Sequence, residues 1–321
     1  MTPEKYINPF TDFGFKKIFG EEANKDLLID FLNSFFGKNQ QIESLEYIKS
    51  EKLGSSTTDR KAIATANRYD LYCKTKNDER FIVEIQKAKQ DFFKDRSVYY
   101  ASFPIQEQAQ KGNWNYKLMP IYTVGILNFV FADHKDETDT LFHKVQLKDQ
   151  SGKVFYEKLT FIYLELPKFN KTIDELETQF DKWLYLFRYL PLLDKLPDKF
   201  KDKIFQKLFK VAEIAKFSRE ERSDYESSLK YLRDLGNVID TAKREGEQIG
   251  LEKGEQIGLE KGEQIGLEKG EQIGLEKGEQ IAKKKAIIQV LKTGLLTTEQ
   301  IAEIFTVTIE DIFIIQSKIN T

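Results

Sequence analysis

Two short runs decide the fold: Tyr69-Asp70-Leu71-Tyr72-Cys73-Lys74-Thr75 and Arg80-Phe81-Ile82-Val83-Glu84-Ile85-Gln86, with Lys76-Asn77-Asp78-Glu79 between them. Each run alternates in hydropathy and is rich in aromatic and β-branched residues, and the polar tetrad between them reads as a turn. Together they predict a β-hairpin. On a strand, residues two apart share a face, so Glu84 and Gln86 project together while Phe81, Val83 and Ile85 point the other way. An acid set between Val83 and Ile85 is costly to bury unless it is paired or binds a cation. Directly opposed positions on neighbouring strands bring Cβ atoms to roughly 5 Å, near enough for two carboxylates to hold one cation. Parity then constrains the hairpin. Asp70 and Glu84 share a face only if the loop has an odd number of residues, such as Lys76 to Asp78. A two-residue loop at Asn77-Asp78 would separate them. By itself, an Asp followed fourteen residues later by Glu-x-Gln is a weak signal, because exposed hairpins produce it by chance.

Upstream, Thr11 or Asp12 can cap a short helical turn containing Phe13, Phe15 and Phe19, which read as packing residues. Asn24 can cap a second helix with Leu27, Leu28, Phe31, Leu32 and Phe35 inward. Ile42 to Ile48 reads as a strand entering a polar loop, Ser50 to Asp59. Downstream, a helical segment runs from about Asp91 to Lys111. Two apolar strands follow, Pro120 to Phe131 and Leu159 to Leu166, the second preceded by a polar loop containing Ser151-Gly152. This order fits an α/β sandwich with a mixed central sheet. Beyond Pro167 the strand signals stop and helices are expected over residues 172–190, 200–216 and 218–244. The expected division is a core over 1–167, a helical region over 168–244, a repeat segment over 245–285 and a small helical hairpin over 286–321.

The repeat is Gly-Glu-Gln-Ile-Gly-Leu-Glu-Lys, four times in tandem from Gly246, with a fifth copy decaying after Gly278. Eight residues overshoot two helical turns by about 80°, so Ile and Leu hold no single stripe. The nine glycines cost a helix roughly 9 kcal/mol relative to alanine. Glu and Lys are not spaced to compensate. A helix stabilised by a partner chain is the expectation, against a simple tether. The tail from Leu295 suggests two short helices. It carries Lys318 against four acids, so a helical hairpin fits better than a DNA-reading helix-turn-helix.

Composition narrows the classes. Among 321 residues, 40% are apolar and 25 are Phe, enough for a sizeable core. Cys73 is alone, which removes internal disulfides and favours a reducing compartment. No apolar run has membrane-spanning length, and Met1 to Lys17 does not read as a signal peptide. A cytoplasmic location is expected. His134 and His143 have no partners at zinc-ligand spacing along the chain, so a structural zinc site is not expected. Fifty basic against 52 acidic residues give a net charge of −2. That argues against a DNA-coating protein, but not against an enzyme with a local basic groove.

The run Asn8-Pro9-Phe10-Thr11-Asp12-Phe13-Gly14-Phe15-Lys16-Lys17-Ile18-Phe19-Gly20 resembles the opening of the recombination-promoting nucleases, PD-(D/E)XK-class proteins also grouped as transposases. Asp59-Arg60-Lys61, both hairpin strands, Arg96 with Tyr99, and Gly112-Asn113-Trp114 with Tyr116 continue the likeness in order. It spans roughly Asn8 to Leu166, with Ala64 to Arg68 standing as an insertion. The resemblance implies a restriction-endonuclease-like core with helices flanking a mixed sheet, followed by an all-helical C-terminal extension. It further implies Mg²⁺-dependent cleavage of DNA (Mn²⁺ as the alternative ion) in recombination or mobile DNA. Asp70, Glu84 and the Ile85 backbone carbonyl are then the metal ligands. Gln86 stands where most of the class has lysine, supplying hydrogen bonds but no charge. Lys61 or Lys87 can supply that charge, though Lys87 should face away if its strand continues regularly. Lys61, Arg96 and Tyr99 are candidate DNA contacts, with Tyr100 beside them. Glu51 is a further carboxylate within reach, read more simply as a solvated loop acid. The competing function is a catalytically weak or inactive DNA-binding accessory protein that forms homo-oligomers through its helical C-terminus.

Overall fold

The computed structural model describes residues 4–37, 40–48, 69–137 and 139–318. Lys61, Glu51 and the Ala64 to Arg68 insertion lie outside the described residues. The described chain forms two units, one ending at Asn237 and the other starting at Val238.

The first unit is built on a six-stranded mixed sheet in the order β1-β2-β3-β4-β6-β5. Its strands are β1 (Leu45–Tyr47), β2 (Leu71–Thr75), β3 (Arg80–Gln86), β4 (Ile121–Leu127), β5 (Phe142–Lys148) and β6 (Val154–Glu165). Strands β3, β4 and β6 run parallel, while β1, β2 and β5 join antiparallel at the two sides. Helix α3 (Phe93–Gln106) connects β3 to β4, as a parallel pair requires.

Strand β5 falls where the sequence suggests a polar loop. It is an edge strand with little buried surface, so its residues carry no alternating apolar signal. The Asp149 side chain accepts from Ser151 N and Lys153 N at the turn that follows, and Gly152 takes φ +82° there.

One face of the sheet carries the main core, where Leu71, Cys73, Phe81, Val83, Ile85, Val124, Ile126, Ile162 and Leu164 are buried. Helices α1 (Asp12–Phe19), α2 (Lys25–Asn33), α4 (Gln179–Tyr189) and α5 (Lys203–Ala212) contribute to the same core. Phe19, Phe31, Trp183 and Phe187 interlock with ring centroids 5.2–5.7 Å apart, and Trp183 Nε1 donates to Asp30 Oδ1 at 2.7 Å. The helices after Pro167 thus share one hydrophobic core with the N-terminal helices. Thr11 caps α1 through Gly14 N. Asn24 makes no side-chain cap on α2; its amide instead donates to Lys17 O and Glu21.

Helix α6 (Arg219–Thr293) begins in the first unit and contains the octapeptide repeats. The side chains of residues 245–282 are exposed. Within four successive copies the Gln amide donates to the Glu carboxylate four residues on, as Gln248 does to Glu252 at 3.0 Å. These Gln–Glu pairs partly compensate for the glycines. In the second unit, α7 (Thr298–Phe305) and α8 (Ile309–Ser317) open on capping boxes at Thr297 and Thr308. Ile301, Ala302 and Ile312 close around Ile287. No helix among the described residues is long and apolar enough to cross a membrane.

Candidate active site

The hairpin loop comprises Lys76, Asn77 and Asp78. Thr75 N donates to Glu79 O at 2.9 Å, Asp78 N donates to Thr75 O at 3.0 Å, and Asp78 takes the left-handed conformation at φ +59°. A three-residue loop closed by a residue in this conformation is a common hairpin solution, and Asp tolerates it better than most residues. Because three is odd, the register follows the parity argument: Leu71 opposes Val83, and the next residues outward are Asp70 and Glu84.

Glu84 lies on the sheet face covered by α3, with its carboxylate 3.8 Å from Arg96 Nη2 and 3.3 Å from the Gln86 amide. It is only 7% exposed. Burial, with the nearby Asp70 charge, pushes its pKa up to about 7 despite Arg96 and Gln86. Asp70 is half-buried. Burial raises its pKa too, while the Ile85 N–H, donated to Oδ2 at 2.8 Å, pulls it back. Arg80 and Gln86 bond toward β4, through Pro120 O and Asn128 N. By alternation the N–H and C=O of Ile85 face the opposite edge, where Asp70 sits. The Ile85 backbone thus meets the Asp70 carboxylate at the carboxyl end of β3, where the Asp70 charge also acts on Glu84.

The parallel neighbour of Glu84 is Gly125 on β4, which in turn pairs with Tyr163 on β6. A Cβ at Gly125 would lie 3.1 Å from the Tyr163 ring, so a side chain there would need that ring to give by a few tenths of an ångström. A buried carboxylate and a half-buried one with weak local neutralisation suit a hard divalent cation, which favours oxygen donors and keeps water ligands. The residues present fit such an ion.

Sequence reasoning missed the groups around Asp70. A cleft of about 540 Å³ runs beside it, with Asp12, Lys16 and Lys17 of α1 and Ser227 of α6 among its lining. β3 ends at Gln86, and Lys87 just beyond it lies within the field of Asp12 on α1 and of Asp70. It is half-buried, with Nζ 5.2 Å from the Tyr231 ring centroid. Burial lowers its pKa, while the charges of Asp12 and Asp70 raise it.

On α3, Arg96 is half-buried between the rings of Phe93 and Tyr100, at 5.1 and 5.8 Å, whereas Tyr99 is 62% exposed. Tyr100 is half-buried and its carbonyl accepts from Tyr69 Oη at 3.0 Å. Trp114 is half-buried and packs on exposed Tyr116 at 4.8 Å.

The fold also assembles one cluster that spacing along the chain does not reveal. His134, His143 and Glu165 meet at the carboxyl end of β6.

A helix-flanked mixed sheet with acids at the end of a β-hairpin is the architecture of restriction-endonuclease-like α/β proteins. The chain belongs to the PD-(D/E)XK nuclease family transposases, whose sequence model matches residues 9–242. Comparison with curated proteins and with solved structures returns no match.

Proposed function

We propose that this chain is a divalent-cation-dependent DNA endonuclease acting in recombination or the movement of mobile DNA. The observation that carries the reading is the position of Asp70 and Glu84 one step beyond the Leu71–Val83 pair of a hairpin with a three-residue loop, in a chain of a nuclease family. Asp70, Glu84 and the Ile85 carbonyl would hold Mg²⁺ or Mn²⁺. When bound, such an ion supplies charge neutralisation at a phosphate and acidifies a water.

The chain's own residues do the rest. Gln86 orients a water or phosphate oxygen through its amide, without charge. Lys87, beyond the strand end, supplies the positive charge that Gln86 lacks. Arg96 offers a cation to the DNA backbone, and exposed Tyr99 offers a stacking or hydrogen-bonding contact. Lys61 remains a proposed backbone contact on sequence grounds. The repeat helix is proposed to pair with a second copy, since Ile and Leu of each repeat stand uncovered among the described residues, Leu259 being 75% exposed.

The test is plasmid cleavage by purified protein with Mg²⁺ or Mn²⁺, beside the Asp70→Asn/Glu84→Gln double variant. Wild type is expected to cut and the variant to lose at least roughly 10²-fold in rate. Equal cutting by the variant refutes the site. DNA binding without cutting by wild type under either ion favours the accessory-protein reading.

A further inference from the structure

The chain contains two histidines, and the fold brings both to one carboxylate. His134 ends the short turn Ala132–His134 after β4, His143 is the second residue of β5, and Glu165 ends β6. His134 Nδ1 lies 3.1 Å from Glu165 Oε1, and His143 Nε2 lies 3.1 Å from Oε2. The two rings stack at 4.2 Å with 21° between their planes. Glu165 is fully buried, and the donor atoms of all three residues fall within 4.8 Å of one another.

We propose that His134, His143 and Glu165 form a second metal site, for a divalent ion of the zinc type, separate from the Asp70–Glu84 pair. Two imidazoles and a carboxylate are a borderline donor set that suits Zn²⁺ and leaves a fourth position for water, whereas Mg²⁺ prefers oxygen donors throughout. The two sites are distinct in space. Glu165 pairs with Leu127, which pairs with Gln86, so two strand spacings, roughly 10 Å, lie between Glu165 and Gln86.

The surroundings are those of a supported ligand set. Phe131 N donates to Glu165 Oε1 at 2.8 Å and fixes the carboxylate. Asp133 Oδ2 lies 3.8 Å from His134 Nε2, the ring nitrogen that carries the proton when Nδ1 turns its lone pair to a metal, and a small approach would let it accept that N–H. Lys168 Nζ lies 2.7 Å from Oε2 and supplies positive charge there in the metal-free chain. It also donates to Thr140 O at 3.0 Å, a bond it keeps if an ion takes the oxygen. An ion here would tie the segment between β4 and β5 to the ends of β5 and β6. A site composed only of ion pairs would show no demand for a metal, and this separates the two accounts.

The experiment is a Zn²⁺ titration of the EDTA-stripped full chain against a chromophoric chelator, with the Co²⁺ absorption spectrum as a second readout. Wild type and the Asp70→Asn/Glu84→Gln variant are both expected to take up one equivalent of Zn²⁺ and to give the intense visible bands of four-coordinate Co²⁺. His134→Gln, on a partly exposed turn, is expected to keep its circular dichroism spectrum and weaken Zn²⁺ binding by roughly 100-fold. His143→Gln is expected to do the same. No Zn²⁺ uptake by wild type, unchanged uptake in the His134→Gln variant, or loss of uptake in the carboxylate double variant each overturns the proposal.

Discussion

The backbone N–H of Ile85 donates to the Asp70 carboxylate across 2.8 Å, so a side chain satisfies the donor that β2, ending at Leu71, no longer reaches. This bond does two things at once. It closes the hairpin at its open end and fixes the Asp70 carboxylate beside the strand that carries Glu84. Asp70 is therefore part of the sheet's own hydrogen-bond accounting, which explains why its carboxylate is held in place despite the cost of burying it.

That cost has a pH signature. The Glu84 carboxyl, ordinarily near 4.5, is pushed up to about 7 by burial first and the Asp70 charge second. Below its ordinary pKa the group is protonated whether the chain is folded or not. As pH rises toward 7 the unfolded chain loses the proton first, so stability falls across that window and the loss is complete above it. Asp70, also raised, acts in the same direction. The shift corresponds to roughly 3 kcal/mol at most. Urea unfolding in EDTA at about pH 5 and about pH 8 is expected to show this decline. Glu84→Gln should flatten it, and Mg²⁺ should restore stability at the higher pH in wild type alone. An equal slope in the variant would show that Glu84 is not the source.

Lys87 makes a separate prediction. Its position past the end of β3, within the field of Asp70, suits a cation that steadies charge on the reacting phosphate. Lys87→Ala is expected to lower kcat for DNA cleavage by roughly 10- to 100-fold with little change in KM. Lys87→Arg should recover part of the loss. A change confined to KM would instead make it a DNA-binding lysine.

The repeat glycines make a third. A Cβ at any glycine from Gly246 to Gly278 meets nothing within 4 Å, so alanine fits sterically and gains about 1 kcal/mol of helix propensity per site. Replacing four of them is expected to leave cleavage unchanged and to raise the temperature at which α6 loses far-UV circular dichroism. If self-association disappears in the same variant, the glycines are the contact surface between copies.

How much of this was legible follows from the range of each signal. The hairpin and its parity could be read because alternation and turn chemistry act over a few residues. The strand β5 could not, since edge residues such as Lys144 and Lys148 are exposed and show no apolar face. Helices after Pro167 were readable as helices, but the contact of Trp183 with Phe19 and Phe31 depends on side chains more than 150 residues apart and leaves no local trace. The same holds for the site. Asp70 and Glu84 sit in one hairpin, whereas Asp12 and Lys16 reach Asp70 from another element, and His143 comes to Glu165 through the β5–β6 pairing while His134 arrives on the turn after β4. Gln248 with Glu252 shows a different kind of miss: the stabilising pair was local, but it involved an amide rather than two opposite charges.

The most direct test of the account is anomalous scattering from crystals of the full chain soaked in Mn²⁺. The prediction is a peak bonded to one oxygen each of Asp70 and Glu84, at about 2.1 Å as for a small octahedral cation, and absent in the Glu84→Gln variant. A wild-type crystal with no peak between those two carboxylates, under conditions where the protein cuts DNA, would contradict it.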